Sequence, residues 1–212
     1  MKVPFKGCTF EEFPKGSVTQ WFGETPKLYA PLGLKGHNGI DLVAPHGTPL
    51  LAVEDGIVLG TKEDPSGFGR NVRFLGSDKN GVYNAWTYGH CDKVLVKPGD
   101  VISAGDVIAT MGNTGFTVSS HRSDQFWGVS PTNTDGTHLH LGLRKVKRDK
   151  KGWSYPGSDI KITVLNTDNG YKGSIDPRSL FTKDTPEISS LKAQVSLLQK
   201  VLELYKKLRQ TQ

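Results

Sequence analysis

Residues 137–143 read Thr137-His138-Leu139-His140-Leu141-Gly142-Leu143. In a strand, successive side chains point to opposite faces. Leu139, Leu141 and Leu143 then turn to a core, while His138, His140 and Gly142 turn together to the other side. A lone histidine is most often structural, but two imidazoles at i and i+2 with leucines between them stand side by side over an open surface. Working outward, the chain from Val18 to about Phe181 keeps the same habit of short apolar alternation broken by Gly, Pro, Asn and Asp. The 25 glycines and 12 prolines in 212 residues suit short strands and tight turns, so the fold class is mainly β. Strands are predicted over Leu50 to Leu59, Asn71 to Leu75, Val82 to Tyr88, Val107 to Met111, His138 to Leu143 and Ile160 to Val164.

A second stretch supplies partners for those histidines: Gly36-His37-Asn38-Gly39-Ile40-Asp41. Four residues of straight strand would hold His37 and Asp41 about 13 Å apart, too far for both to reach one ion at about 2 Å. The chain must curl between them, and Asn38-Gly39 is a dipeptide that tolerates positive φ. Two imidazoles and a carboxylate give zinc three protein ligands and leave a fourth corner for water, the donor set of a catalytic site. His37, Asp41 and one of the two strand histidines fill that set. The other strand histidine is left beside the metal.

The pieces GHNGIDLVAPHGTPL (36–50), YGHCDK (88–93), VKPGDVISAGDVIATMGNTG (96–115) and HLHLGL (138–143) occur in this order. Together they resemble the lysostaphin/LytM-type metallopeptidases of the bacterial cell wall, over most of residues 18 to 143. The resemblance implies an antiparallel β-sheet domain with a substrate groove. It also implies one zinc per chain, held by His37, Asp41 and His140, with His138 and His90 as the remaining catalytic histidines. The implied function is a zinc endopeptidase that hydrolyses peptide bonds in peptidoglycan, in the stem peptide or the cross-bridge, by a metal-activated water. His90 also has a reading of its own, since alternation along the preceding strand groups it with Trp86 and Tyr88 and puts an imidazole at the strand end. The chain departs from the family by inserting Phe116 to Gly136, which carries His121, Arg122, Phe126 and Trp127. His46, in a Pro-His-Gly turn, reads as structural, and the Gly112–Gly115 turn as a place where a substrate backbone could come close.

The remaining features bound the alternatives. With 27 Lys plus Arg against 21 Asp plus Glu, the net charge of +6 favours an anionic partner such as an anionic wall polymer. Much of the excess falls in Arg144 to Lys151 and at the C-terminal end, without the interleaved aromatics of a nucleic-acid binder. Two cysteines, Cys8 and Cys91, exclude a disulfide framework. A cysteine peptidase built on Cys91 would find His90 on the opposite face of a strand. A biotin- or lipoyl-carrier hairpin over Val96 to Met111 would lack a lysine at its tip. The alternative to an enzyme is a non-catalytic cell-wall-binding or regulatory domain of the same family.

Thr185-Pro186 starts a different pattern. Ile188, Leu191, Val195, Leu198, Leu202 and Tyr205 step by three and four, predicting a C-terminal amphipathic, coiled-coil-like helix suited to self-association or to packing on the domain. The expected organisation is a catalytic domain over 1–182 and a linker with this helix over 183–212. No transmembrane run and no secretory signal is read in the sequence. The expected place of action is the cell wall, with release by lysis or a phage-type, endolysin-like bacteriolytic route.

Overall fold

A computed structural model of the chain describes residues 1–117 and 134–181. The predicted helix beyond Thr185 and most of the Phe116 to Gly136 insertion lie outside the described residues. Among the described residues the strands are β1 (Val18–Gln20), β2 (Ile40–Leu42), β3 (Pro49–Leu51), β4 (Gly56–Asp64), β5 (Gly69–Lys79), β6 (Val82–Val94), β7 (Val101–Ile102), β8 (Val107–Met111), β9 (Leu139–Trp153) and β10 (Ile162–Val164). A single turn of α-helix, α1 (Pro26–Tyr29), lies between β1 and β2. No helix there is long and apolar enough to cross a membrane.

The strands form one antiparallel sheet in the order β1-β2-β9-β6-β5-β4-β7, with β10 on β9 and β8 joining β6 to β3. Its centre is the β5–β6 hairpin, closed by Asn80 and Gly81 at φ 57° and 77°. Two residues with positive φ make the tight turn whose twist matches the flanking strands. Alternation then sorts the side chains. Phe74 on β5, Trp86 and Tyr88 on β6, and Leu139, Leu141 and Leu143 on β9 point to one face and are buried. Phe5, Cys8, Ile40, Leu42, Ile108 and Met111 close the main core over them. The opposite face carries His140, Gly142 and Arg144 of β9, with Thr87 of β6 opposite Gly142 and Arg73 of β5 opposite Thr87. A second, smaller core of Leu59, Leu75, Val146 and Ile162 covers the far end of that face. Between this core and the histidines, β5, β6 and β9 present the face along which the expected substrate groove would run.

Several predicted strands change their limits. Leu50 to Leu59 is not one strand, because Glu54 interrupts it. Its buried carboxylate accepts hydrogen bonds from Asn84 Nδ2 at 2.8 Å, from Trp86 Nε1 and from Ser77 Oγ. A buried carboxylate needs such partners, and turning the chain to reach them ends β3. The strand predicted over 138–143 runs on to Trp153 and takes up the basic stretch, while the one predicted from Ile160 begins at Ile162.

Candidate metal centre

Asp41 and His140 meet by strand pairing. β2 runs antiparallel to β9, with Asp41 directly opposite His140. Opposed residues share a face with Cβ atoms only a few ångströms apart. Ile40 and Leu42 anchor β2 in the core, and Asp41 between them turns to the groove. His37 comes from the bend before β2. Its main chain is held by His37 N–H to Glu24 O at 2.9 Å and by Gly23 N–H to His37 O at 2.8 Å.

The bend is not made in the way the Asn38-Gly39 pair predicted, since neither residue has positive φ. Gly39 is needed for space. A Cβ there would lie 2.5 Å from His140 Cε1 and Nε2 and 2.8 Å from Leu141 O. The bare Cα is what lets β2 approach the edge of the His140 ring.

The donor atoms form a nearly equilateral triangle. His37 Nε2 is 3.1 Å from Asp41 Oδ1, His140 Nδ1 is 3.1 Å from the same oxygen, and the two nitrogens are 3.0 Å apart. Zinc with bonds of about 2.0 Å to three corners of a tetrahedron sets those corners about 3.3 Å apart. The spacing is therefore within a few tenths of an ångström of what the ion requires. Second partners fix the protonation. A carbonyl can only accept, so the 3.2 Å contact of His37 Nδ1 with Trp21 O puts the proton on Nδ1 and leaves the Nε2 lone pair facing Asp41 and His140. His140 Nε2 is buried without a hydrogen-bond partner.

The electrostatics favour the same states. Burial pushes the Asp41 carboxyl up, but His37 and His138 nearby, with the close ring nitrogens of His140 and His37, outweigh it and hold the group well below the usual range. Burial, with the neighbouring His37 and His138, lowers His140 to about 4 against the pull of Asp41. Ionised Asp and neutral His are the forms a metal binds.

His138 and His90 flank the triad. His138 Nδ1–H donates to Gly136 O at 2.7 Å, and its Nε2 lies 3.7 Å from Asp41 Oδ2. His90 Nδ1–H donates to Thr114 O at 2.8 Å. The His90 ring centre is 4.5 Å from that of His138 and 6.2 Å from that of His140. Alternation alone would send His90 inward with Trp86 and Tyr88. It is turned to the groove by a left-handed backbone, φ 62°, inside β6 rather than at the strand end. Phe68 O, accepting from His90 N–H at 2.7 Å, and Thr114 hold this uncommon conformation. Burial lowers His90 well below the ordinary histidine value, reinforced by His138 and His140. In both rings the bonded Nδ1–H leaves Nε2 as the free lone pair.

Two aromatic neighbours were not visible in the motifs. Tyr29 of α1 stacks on His37 with centroids 5.3 Å apart, and Phe68 packs on His140 at 4.8 Å. The Gly112–Gly115 turn also differs from the reading of its glycines. A Cβ at Gly115 would stand 2.3 Å from Gly69 N, so this glycine serves the chain's own packing and not an approaching ligand. His46 is half-buried at the edge of a cavity of about 550 Å³, outside the triad.

The model of Peptidase family M23 matches residues 35–152. Glycyl-glycine endopeptidase ALE-1 of Staphylococcus capitis is 34% identical over 158 residues, covering 72% of this chain and 40% of that protein. Lysostaphin of Staphylococcus simulans is 33% identical over 108 residues, 48% of this chain and 21% of its own length. Peptidoglycan DD-endopeptidase ShyB of Vibrio cholerae is 36% identical over 85 residues, 40% of this chain and 19% of its own. The chain thus spans between about a fifth and two fifths of the length of these relatives. The solved catalytic domain of lysostaphin from Staphylococcus simulans superposes with a TM-score of 0.49 at 22% identity, covering 77% of this chain and 90% of that one. The family match takes in more than half of the 212 residues, with His37, Asp41, His90, His138 and His140 all inside it, and the chain belongs to peptidase family M23.

Proposed function

We propose that this protein is a zinc endopeptidase that hydrolyses peptide bonds in bacterial peptidoglycan. The observation that carries the reading is the triangle of His37 Nε2, Asp41 Oδ1 and His140 Nδ1, with sides of 3.0 to 3.1 Å. Two neutral imidazoles and one carboxylate are a donor set that leaves zinc an open position. A zinc ion held there supplies Lewis acidity toward a peptide carbonyl and brings the pKa of water toward about 7.

The chain's own groups handle the proton. His138 Nε2 and His90 Nε2 are lone pairs on rings beside the triad, so either imidazole could accept a proton from an attacking water. Once protonated, an imidazole can donate to the developing oxyanion or to the leaving amine. Thr114 O and Gly136 O keep each ring in the tautomer that makes this exchange possible. The groove floor of β5, β6 and β9 gives an extended peptide a flat bed beside these groups.

The names of the relatives, a glycyl-glycine endopeptidase and a DD-endopeptidase, direct the reading to the peptide part of the wall. Such a substrate puts the site of action at the cell wall, where a net charge of +6 also suits anionic polymers. The purified protein is expected to hold about one zinc and to release peptide fragments from peptidoglycan. Activity should vanish with a chelator and return with zinc. Mass spectrometry of the fragments from defined peptidoglycans identifies the bond cut. Cleavage that survives complete removal of metal would overturn the proposal.

A further inference from the structure

Arg73 and Arg144 lie on the groove face, diagonal to each other across β6: Arg73 is opposite Thr87 and Arg144 is opposite Ala85. Thr87 and Ala85 share a face by alternation, so both arginines project on the side that carries His140. Both are half-buried. Neither forms an ion pair with a carboxylate among the described residues.

Each guanidinium is nevertheless held in place. The Arg73 guanidinium carbon sits 5.7 Å from the centre of the Phe68 ring and 5.0 Å from that of Tyr155. Phe68 in turn packs on His140 at 4.8 Å, so Arg73 is two ring contacts from the metal triad. Arg144 donates Nε–H to Ser174 Oγ at 3.4 Å, and its terminal nitrogens have no protein partner among the described residues.

Holding two like charges together, partly out of water, is unfavourable unless a counter-charge is supplied. Burial and then the charge of Arg73 lower the Arg144 pKa, with Tyr155 opposing. No carboxylate among the described residues relieves this, yet stacking and the Ser174 contact keep both forks on this face. A planar fork with free N–H groups matches a carboxylate in a bidentate way.

We propose that Arg73 and Arg144 form a subsite that recognises a carboxylate of the bound peptide, away from the scissile bond. The inference rests on reading this face as the peptide groove. His140 and Arg144 are four strand residues apart, roughly 13 Å, which is the span of about four extended residues of a peptide lying along β9. The carboxylate is therefore a terminal or side-chain group a few residues from the bond being cut.

Two probe pairs separate the sources. One is pentaglycine with a free or an amidated C-terminus; the other is amidated Gly-Gly-Gly-Gly-Glu beside amidated Gly-Gly-Gly-Gly-Gln. Binding to the full chain is read from the Nε–H NMR signals of the two arginines, so no turnover is needed. In at least one pair the acid should bind about tenfold or more tightly than its amide, the effect of a charge-assisted hydrogen bond. The pair that shows it identifies a terminal or a side-chain carboxylate.

Arg73→Gln and Arg144→Gln should each reduce the preference and together abolish it. Arg144→Lys, which keeps the charge and loses the fork, should fall between. Equal binding of acid and amide in both pairs, or a preference that survives in a folded double variant, would overturn the subsite. A carboxylate preference without cleavage of any wall substrate keeps the subsite and removes the hydrolase reading. Cleavage without a preference does the reverse.

Discussion

His138 and His140 share a side chain and a face and differ in what surrounds each ring. His140 Nδ1 is a corner of the donor triangle, whereas His138 Nε2 stands 3.7 Å from Asp41 Oδ2, outside it. If the triangle holds zinc, His140→Ala leaves two protein ligands, and metal content and turnover should fall together. His138→Ala should keep nearly full zinc while turnover drops about 10²–10⁴-fold, the range a proton-transfer or oxyanion-stabilising group supplies. Metal analysis beside turnover distinguishes them, and zinc loss confined to the His138 variant reverses the assignment. The same pocket yields a subtler test at Gly39. Gly39→Ala forces a methyl against the His140 ring, and zinc affinity measured by chelator competition should weaken by about 10–100-fold, as when a group that orients a ligand is disturbed. Unchanged affinity would mean that the ring has room the present packing does not show. That His37, Asp41 and a strand histidine come together was legible here from H-x-x-x-D and H-x-H, while the choice of His140 over His138 came only from the family resemblance. The reason for the glycine was not legible. Sequence offers φ as the usual need for Gly-39-type positions, while the need here is a missing Cβ against a residue about a hundred positions away.

At the scale of the element, the left-handed backbone in β6 that aims His90 depends on Thr114. The Thr114 main-chain oxygen accepts from His90 Nδ1 at 2.8 Å, and its hydroxyl donates to Cys91 O at 2.8 Å while accepting from Arg70 N–H at 2.9 Å. One side chain thus ties β5, β6 and the turn after β8 together where β6 leaves strand geometry. Thr114→Val keeps the shape and removes the hydroxyl. Zinc content should hold, turnover should fall by about 10²-fold or less, the scale of a misplaced reacting group, and Thr114→Ser should restore most of it. A Val variant with full turnover would show that the hydroxyl is dispensable for aiming His90. Such a device is hard to read in advance, since the alternation that correctly puts Trp86 and Tyr88 in the core assigns His90 to the same face, and only the left-handed residue breaks the rule. Strand existence was legible for most of the sheet because one face is apolar. Strand ends were less so. β9 runs on through the basic stretch Arg144 to Lys151, past the limit read at Leu143, by pairing with β6 and β10. The break at Glu54 likewise depends on Ser77, Asn84 and Trp86, donors that lie far along the chain.

At the scale of the described molecule, the main core extends beyond the part that carries the family match. That match begins at residue 35, yet Phe5 and Cys8 are buried in the same core as Trp86 and Leu141, and Phe10 stacks on Phe181 with centroids 4.3 Å apart. Lys2 N–H to Val53 O at 2.8 Å and Leu51 N–H to Pro4 O at 2.7 Å pin the first residues to the region of β3. If this segment is integral to the core, it should open with the sheet and not before it. The two cysteines report on that directly: Cys8 lies in the segment, Cys91 in β6, and both are free and buried. Burial pushes each thiol from 9.0 up to about 12, Cys8 against a contact with Ser17 and Cys91 against main-chain contacts. Raising a thiol pKa leaves more of it protonated, so the reactive thiolate is scarcer at neutral pH, in addition to the shielding by neighbours. Neither cysteine should react appreciably with a small aromatic disulfide reagent in the native protein. Through a urea series both should become reactive with one midpoint, shared with the loss of β-sheet circular dichroism, if the described part unfolds as one cooperative unit. Phe5→Ala should lower that common midpoint, by about 3–5 kcal/mol in stability for a large aromatic removed from a core. Labelling of Cys8 at urea concentrations where Cys91 remains protected would show instead that the N-terminal segment opens on its own. In that event the stability of the sheet would rest on the family-matched part alone, and Phe5→Ala would shift only the first of two transitions.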